Sequence, residues 1–100
     1  MTTLHVLIIA SKDGPHFEYQ TASNFSKVLK ERLDGHPVEV TLINKLSSVL
    51  EDLHVVATHK AVNTPTIIVL DGTKTIFRKS GGSPPPLNEF VEFIISTCRS

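Results

Sequence analysis

The stretch from Thr64 to Lys79 constrains the fold of this chain more than any other part of the sequence. Four consecutive apolar residues, 67–70, follow Thr64-Pro65-Thr66, and such a short apolar run is typical of a strand buried on both faces. Asp71-Gly72 favours a tight turn, and a second β-rich run, 75–77, comes after it and continues to about Lys79. The sequence therefore predicts a hairpin of two antiparallel strands.

The residues before this hairpin predict a strand, a helix and a second strand. Residues 4–10 are apolar on both alternating faces, which indicates a central strand covered on two sides. Residues 38–43 alternate at first and then become apolar, as expected for a strand nearer the sheet edge. Between them, residues 17–33 follow helical spacing, and Gly35 with Pro37 ends this helix near Asp34. The predicted apolar face of the helix consists of Ala22, Phe25, Val28, Leu29 and Leu33.

Two further helices are predicted, one on each side of the hairpin. Ser48 with Glu51 three residues later is a capping-box pattern, and it begins a helix that ends near His59. Pro84-Pro85-Pro86 forms a rigid entry to the last helix. The apolar stripe of the last helix consists of Leu87, Phe90, Val91, Ile94, Ile95 and Cys98. The predicted order is therefore βαβαββα, in a single domain that spans residues 1–100.

Composition argues against several classes of function. Ten basic and ten acidic residues cancel, and no basic run exceeds the pair Arg78-Lys79, so the positive surface of a nucleic-acid-binding protein is not expected. The longest apolar run, 6–10, is far shorter than the roughly 20 residues of a membrane span. The sequence shows no secretory signal, and a lone cysteine fits a reducing compartment, so a cytoplasmic location is expected.

This order of elements resembles that of the thioredoxin superfamily. Residues 64–72 are similar to the family's Pro-Thr pair, four apolar residues and turn glycine, and Gly81-Gly82 and Leu87-Asn88-Glu89-Phe90 follow where relatives carry similar residues. Asp13-Gly14-Pro15-His16 lies between the first strand and the first helix, where thioredoxins carry Cys-Gly-Pro-Cys. The resemblance implies an α/β fold with a four-stranded mixed sheet of order 2-1-3-4, in which the third and fourth strands are antiparallel and helices flank the sheet. It also implies a cis peptide bond before Pro65.

The family's redox chemistry needs two sulfur atoms that this chain lacks. One thiolate attacks a disulfide from the start of the first helix, and a second thiol three residues later resolves the mixed disulfide. Asp13 and His16 can do neither, and Leu7 stands where thioredoxins carry a buried carboxylate. We therefore predict no disulfide reductase activity. Cys98 is interpreted as a core residue of the last helix rather than a redox group.

The resemblance implies a shallow groove that binds an extended peptide, formed by the loop before the first helix and the residue before the proline. The candidate residues are Lys12, Asp13, Gly14, Pro15, His16, Phe17, Asn63, Thr64 and Pro65, with Gly81 and Gly82 as further candidates. Asp13 is interpreted chiefly as the N-cap of the helix, with a place in the binding surface or a catalytic or metal role as alternatives. Phe17 either anchors a partner or packs against the third strand. No metal site is predicted, because the five histidines lack the usual ligand spacing.

Two functional hypotheses follow, beside a third possibility, a purely structural domain detached from a larger assembly. The first is a thioredoxin-fold module without redox activity that binds a protein or peptide through this groove, with no cofactor and no catalytic residue. The alternative is a divergent oxidoreductase or transferase that uses glutathione or another thiol compound bound near Pro65. Glutathione sites usually contain cationic or polar groups for its carboxylates, and the candidates for that role here are Lys12, His59 and Lys60.

Overall fold

The structure is a computed structural model that describes residues 3–11, 18–44, 57, 65–81 and 85–98. The elements predicted in these ranges are present, with ends close to the predicted ones. The helix predicted from Ser48 to His59 lies outside the described residues apart from Ala57, which is helical. The described elements are strand β1 (Leu4–Ala10), helix α1 (Glu18–Arg32), strand β2 (Val38–Asn44), strand β3 (Thr66–Asp71), strand β4 (Lys74–Ser80) and helix α2 (Leu87–Cys98).

The four strands form one mixed sheet in the order β2-β1-β3-β4. Strands β1 and β2 are parallel, whereas β3 runs antiparallel to both β1 and β4. The predicted order 2-1-3-4 is confirmed, as are the central position of β1 and the edge position of β2. The two outer strands are therefore β2 and β4, which lie at opposite sides of the sheet.

Both described helices pack on the same face of the sheet. Their buried side chains meet those of β1 and β3, which alternate along each strand so that every second residue faces the helices. This main core consists of Leu4, Val6, Ile8, Ala10, Ala22, Leu29, Leu33, Ile67, Val69, Phe90, Val91 and Ile94. The apolar stripe predicted for the last helix is confirmed, because Phe90, Val91 and Ile94 are buried and Leu87, Ile95 and Cys98 are partly buried against the same core.

The face that α1 turns to the sheet differs from the predicted one at Val28. Val28 is 38% exposed, whereas Ser26 is only 3% exposed and lies between the buried residues Ala22 and Leu29. At about 100° per residue, Val28 lies about 120° around the helix from Ala22, which turns it away from the core. The described residues contain no buried side-chain oxygen or nitrogen without a hydrogen-bond partner, so the buried hydroxyl of Ser26 is accommodated.

The opposite face of the sheet is also buried at its centre. Ile9, Ile43 and Ile68 come from three adjacent strands and are 0%, 2% and 0% exposed, with Leu7 and Leu70 partly buried beside them. The side chains of α1 and α2 belong to the main core and not to this second cluster. The burial is what the prediction of β1 as a strand covered on two sides requires.

Two glycines with a positive φ angle mark the predicted chain reversals. Gly35, with φ of 85°, follows the end of α1, and Gly72, with φ of 64°, lies in the hairpin between β3 and β4. The turn differs slightly from the predicted one, because Asp71 still pairs with Lys74 as part of the ladder. The two turn residues are consequently Gly72 and Thr73. Among the described residues, no helix is both long and apolar enough to cross a membrane.

Candidate functional site

The candidate site lies at the end of the sheet where the central strand β1 ends and its neighbour β3 begins. In the antiparallel pairing of these strands, Ile9 is opposite Thr66, so Ser11 and Pro65 follow from the same end of the sheet. Residues 12–17 extend from Ser11, and residues 61–64 lead into Pro65. The backbone thus brings together the attachment points of the two segments that the sequence analysis assigned to one groove.

A hydrogen bond joins a third segment, the residue after β4, to this end of the sheet. The N–H of Gly81 donates to the carbonyl oxygen of Pro65 at 2.8 Å, which extends the ladder beyond the last pair, Thr66 and Ser80. Gly81 has a φ of 75°, and a Cβ atom at this position would meet nothing within 4 Å. A side chain would therefore fit in space, but the left-handed backbone favours glycine. This contact places Gly81 beside Pro65, and its part in a binding surface stays a prediction.

The last residues of β1 and the first residue of β3 are buried and carry no ionisable groups. Thr66, Ile9 and Ala10 are each 0% exposed. Leu7, at the position where the resemblance implies a carboxylate, is partly buried in the apolar cluster of Ile9, Ile43 and Ile68. A leucine in these surroundings cannot accept or donate a proton. Among the described residues at this end of the sheet, none has the acidic or basic side chain that thiol chemistry uses.

Most of the predicted site residues lie outside the described ranges, so their arrangement stays a prediction. These residues are Lys12, Asp13, Gly14, Pro15, His16, Phe17, Asn63, Thr64 and Gly82. The capping role of Asp13 and the two alternatives for Phe17 are therefore untested. The peptide bond before Pro65 includes Thr64, and its predicted cis form is likewise a prediction. Ser11 is not among the predicted groove residues, although its place directly after β1 could have identified it as a boundary of the predicted groove.

The one histidine in a described strand contacts a carboxylate at the protein surface. His5 and Glu39 are opposite each other in the parallel pairing of β1 and β2, and Nδ1 of His5 lies 3.2 Å from Oε2 of Glu39. The two side chains are 43% and 68% exposed, so the pair is solvated and contributes little to stability. His5 is the second residue of its strand. No cluster of three or more metal-binding side chains occurs within the described ranges.

Cys98 lies in the last turn of α2, partly buried against the main core. Burial raises the pKa of the Cys98 thiol above its ordinary value, because the thiolate is less well solvated there. The thiol therefore stays protonated at neutral pH. This agrees with the interpretation of Cys98 as a packing residue.

We expect iodoacetamide to alkylate Cys98 more slowly in the folded protein than in the urea-unfolded chain at neutral pH. The thiolate is the reacting form, and the raised pKa lowers its population in the folded state. Mass spectrometry of quenched samples gives both rates, and the pH at which the folded protein becomes reactive should lie above that of the unfolded chain. Equal rates and pH profiles in the two states would contradict this interpretation.

Comparisons with known proteins connect this geometry to one fold. No protein-family model matches the sequence, and no curated protein sequence is significantly similar to it. Among solved structures, a thioredoxin-2 described as a component of the malaria parasite's protein secretion machinery matches with a TM-score of 0.73 and 17% identity, over 95% of this chain and 84% of that one.

Two other thioredoxins match with slightly lower TM-scores. Thioredoxin O2 of Arabidopsis thaliana, in its oxidised state, matches with a TM-score of 0.68 and 8% identity, over 95% of this chain and 75% of that one. Deadhead, the germline-specific thioredoxin of Drosophila melanogaster, matches with a TM-score of 0.66 and 15% identity, over 95% of this chain and 81% of that one. Identities this low concern the fold and not the activity. Together with the order of its strands, these matches show that the chain has a thioredoxin-like fold.

Proposed function

We propose that this chain is a thioredoxin-fold domain without redox activity that binds a protein or peptide through the surface around 13–16 and Pro65. The proposal rests on the observation that Ser11, Pro65 and Gly81 lie at the same end of the sheet. The resemblance to thioredoxins implies that the segments that extend from Ser11 and Pro65 form a groove for extended chains. The sequence has kept Gly14-Pro15 and the Thr-Pro-Thr segment but has an acid and an imidazole in place of the two thiols.

The chemistry of the chain supports binding over bond making. Cys98 is the one cysteine in the sequence, so no intramolecular dithiol exists to reduce a disulfide. Its thiol has a raised pKa and lies in the last turn of α2, which disfavours the thiolate that a single-cysteine mechanism would need. An assay of insulin reduction should accordingly show no turnover above background.

The backbone at Pro65 determines how a peptide would be held. Pro65 has no N–H to donate, and its carbonyl oxygen already accepts a hydrogen bond from Gly81. The residue expected to form main-chain hydrogen bonds with an added peptide is therefore Thr64. Asp13 and His16 contribute side-chain selectivity, since a carboxylate accepts and an imidazole can donate hydrogen bonds. Such a groove recognises the extended conformation first and particular side chains second.

The test is a comparison of two histidine variants with a peptide selected from a random library on the wild-type protein. We expect His16→Ala to weaken binding about tenfold, the size of a hot-spot contact. The control His36→Ala removes the same side chain from the turn before β2 and should leave affinity unchanged. Fluorescence anisotropy of the labelled peptide measures both. Unchanged binding by His16→Ala, or equal loss in the two variants, would contradict the proposed surface.

A titration with glutathione separates this function from the thiol-dependent alternative. Binding of glutathione near Pro65 would shift the backbone amide resonances of Ser11, Thr66 and Gly81, which border the site. For the proposed peptide-binding module we expect no such shifts at millimolar glutathione. Saturable shifts at these three residues would instead favour the alternative.

A further inference from the structure

The outer strand β2 directs main-chain groups away from the sheet. The N–H of Leu4 donates to the carbonyl oxygen of Pro37 at 2.9 Å, which fixes the hydrogen-bonding phase of the parallel pair of β1 and β2. Because this phase alternates along β2, Val40 and Leu42 direct their N–H and C=O groups away from β1. In the described part of the chain, neither residue has a further hydrogen-bond partner on that side.

The two ends of this outward row are already engaged. The N–H of Val38 donates to the carbonyl oxygen of His36 at 2.7 Å. Asn44, the last residue of β2, has an interaction of its own. The outward residues whose N–H and C=O can both pair with another strand are therefore Val40 and Leu42.

Strand β2 lacks the features that usually protect an outer strand from pairing. Such strands carry lysines, prolines or β-bulges. The sequence of β2 contains neither lysine nor proline, and Glu39 is its one charged residue. All seven residues of β2 pair with β1 in unbroken register. Glu39 and Thr41 are exposed, so the face of β2 that points away from the helices is open at these two residues.

The other outer strand, β4, is protected in several ways. Val69 is opposite Phe77 and Leu70 is opposite Thr75, so β4 contains a one-residue bulge. The helix α2 borders β4 on the face that Phe77 shares with Lys79, because the ring centroid of Phe93 lies 5.8 Å from that of Phe77. Exposed cations are distributed along the strand, namely Lys74, Arg78 and Lys79. The contrast identifies β2 as the outer strand that is open to pairing.

The helix-covered side of β2 presents apolar side chains at the margin of the main core. Val38, Val40 and Leu42 pack against this core but are only half-buried. A strand added beside β2 would cover part of their remaining apolar surface, which is favourable. Apolar contact and main-chain pairing therefore favour the same position for a partner.

We propose that β2 pairs antiparallel with β2 of a second copy of this chain, about a two-fold axis at Thr41. Each Val40 is then opposite Leu42 of the other copy, and each such pair exchanges both main-chain hydrogen bonds. Thr41 is opposite the same residue of the other copy, and facing threonines stabilise a strand pair. The two four-stranded sheets become one continuous sheet.

Hydrogen bonding selects this register over its neighbours. A pairing centred on Val40 would place the N–H of Val38, which already donates to His36, opposite Leu42. A pairing centred on Leu42 would require Asn44, which already interacts elsewhere. The pairing centred on Thr41 needs neither group.

Charge also favours the register centred on Thr41. The two copies of Glu39 are then four residue steps apart along the strands, about 13 Å, which exceeds the roughly 8 Å over which charges act in physiological salt. In the pairing centred on Val40 the same carboxylates would be about 7 Å apart along the strands. The repulsion between them is therefore smallest when Thr41 lies on the axis.

A second copy fits β2 better than a charged peptide does. Glu39 contacts His5 of its own chain at 3.2 Å, so β2 presents no row of charges that would select an acidic or basic peptide. The chain has no net charge, so two copies do not repel each other over long distances. One strand pair buries less than the roughly 1,200 Å² of a stable interface, so we expect a weak dimer that forms at about 0.1–1 mM protein.

Sedimentation equilibrium of the wild type and two lysine variants tests the dimer. The apparent mass of the wild type should rise from 11.0 kDa towards twice that value as concentration increases. Thr41→Lys should stay monomeric, because it places like charges opposite each other on the axis. Thr75→Lys makes the same change on β4 and should dimerise like the wild type. A wild type that is monomeric at about 1 mM, or a Thr41→Lys variant that dimerises equally, would overturn the proposal.

Disulfide cross-linking tests the register. Thr41→Cys, combined with Cys98→Ser, should form a disulfide-linked dimer in oxidised glutathione, because a facing pair of this kind has Cα atoms about 4.5 Å apart. Glu39→Cys in the same background is a control on the same exposed face, and its two thiols would be too far apart to join. Equal cross-linking of the two variants, or none by Thr41→Cys, would contradict an axis at Thr41.

Hydrogen exchange separates a second copy from other occupants of β2. The amides of Val40 and Leu42 should exchange rapidly in dilute protein and more slowly as the dimer forms. Protection that does not depend on concentration would show that another part of the chain covers β2, and it would overturn the proposal. A peptide that binds the candidate groove should bind Thr41→Lys as tightly as the wild type, so the dimer and the proposed function can fail separately.

Discussion

Replacing Leu29 by alanine is expected to lower the free energy of unfolding by about 2–5 kcal/mol, the range for a buried leucine that leaves a cavity. Leu29 lies on α1 and is fully buried in the main core, which both described helices form with the sheet. Domains of this size are usually stable by about 5–15 kcal/mol, so the change removes a large fraction of the total. Urea denaturation followed by circular dichroism measures the loss.

The neighbouring residue Val28 provides a matched control on the same helix. Val28 is 38% exposed, so Val28→Ala should change stability by no more than about 0.5 kcal/mol. Alanine also has a higher helix propensity than valine, which offsets part of any loss. If the two variants were equally destabilised, α1 would have to pack on the face that the sequence predicted rather than on the face containing Ser26.

Introducing cysteines at both 13 and 16 is expected to create disulfide reductase activity. Asp13→Cys with His16→Cys produces Cys-Gly-Pro-Cys before α1, the sequence that thioredoxins carry there. The free N–H groups and positive dipole end of a helix N-terminus lower the pKa of a nearby thiol, and the second thiol resolves the mixed disulfide. Insulin reduction should rise from background to measurable turnover in the presence of dithiothreitol.

The controls for this experiment are the two single-cysteine variants, each combined with Cys98→Ser so that one thiol remains. Neither should turn over insulin, because a single thiol leaves the mixed disulfide unresolved. Mass spectrometry of the oxidised double variant should show the loss of two hydrogens. A folded double variant that forms no internal disulfide would show that residues 13 and 16 do not occupy the thioredoxin positions, and it would remove the basis of the candidate groove.

The sequence predicted the described strands and helices because each depends on residues close together in the chain. The apolar run after Pro65 and the Asp71-Gly72 turn indicated the hairpin, and the apolar spacing after the prolines indicated α2. The face of α1 was less well predicted. Val28 was assigned to the core because it is apolar, although its angular position on the helix places it outside the stripe of Ala22 and Leu29. Spacing, given more weight than residue type, would have identified Ser26.

The resemblance supplied the strand order, which the residue pattern by itself did not determine. Hydrophobic alternation indicates which residues are buried in a strand but does not name the neighbouring strand. The pairing of β1 with both β2 and β3 is confirmed. It brings Ser11 and Pro65 to the same end of the sheet although they are far apart in sequence. The meeting of Ser11 and Pro65 was thus predictable, and the groove itself stays a prediction, while the contact of Gly81 with Pro65 needed the register of β4.

The amino-acid sequence alone determined that this chain can form these strands and helices and that it lacks a thiol pair. Both properties follow from residue identity and from periodicity over a few neighbouring positions. Only the tertiary structure decided that Lys79 and Phe77 share a face with Phe93, because that depends on a one-residue bulge and on how α2 lies across the sheet. Strand register and helix packing bring together residues that are distant in the chain. A local sequence pattern contains no information about such contacts.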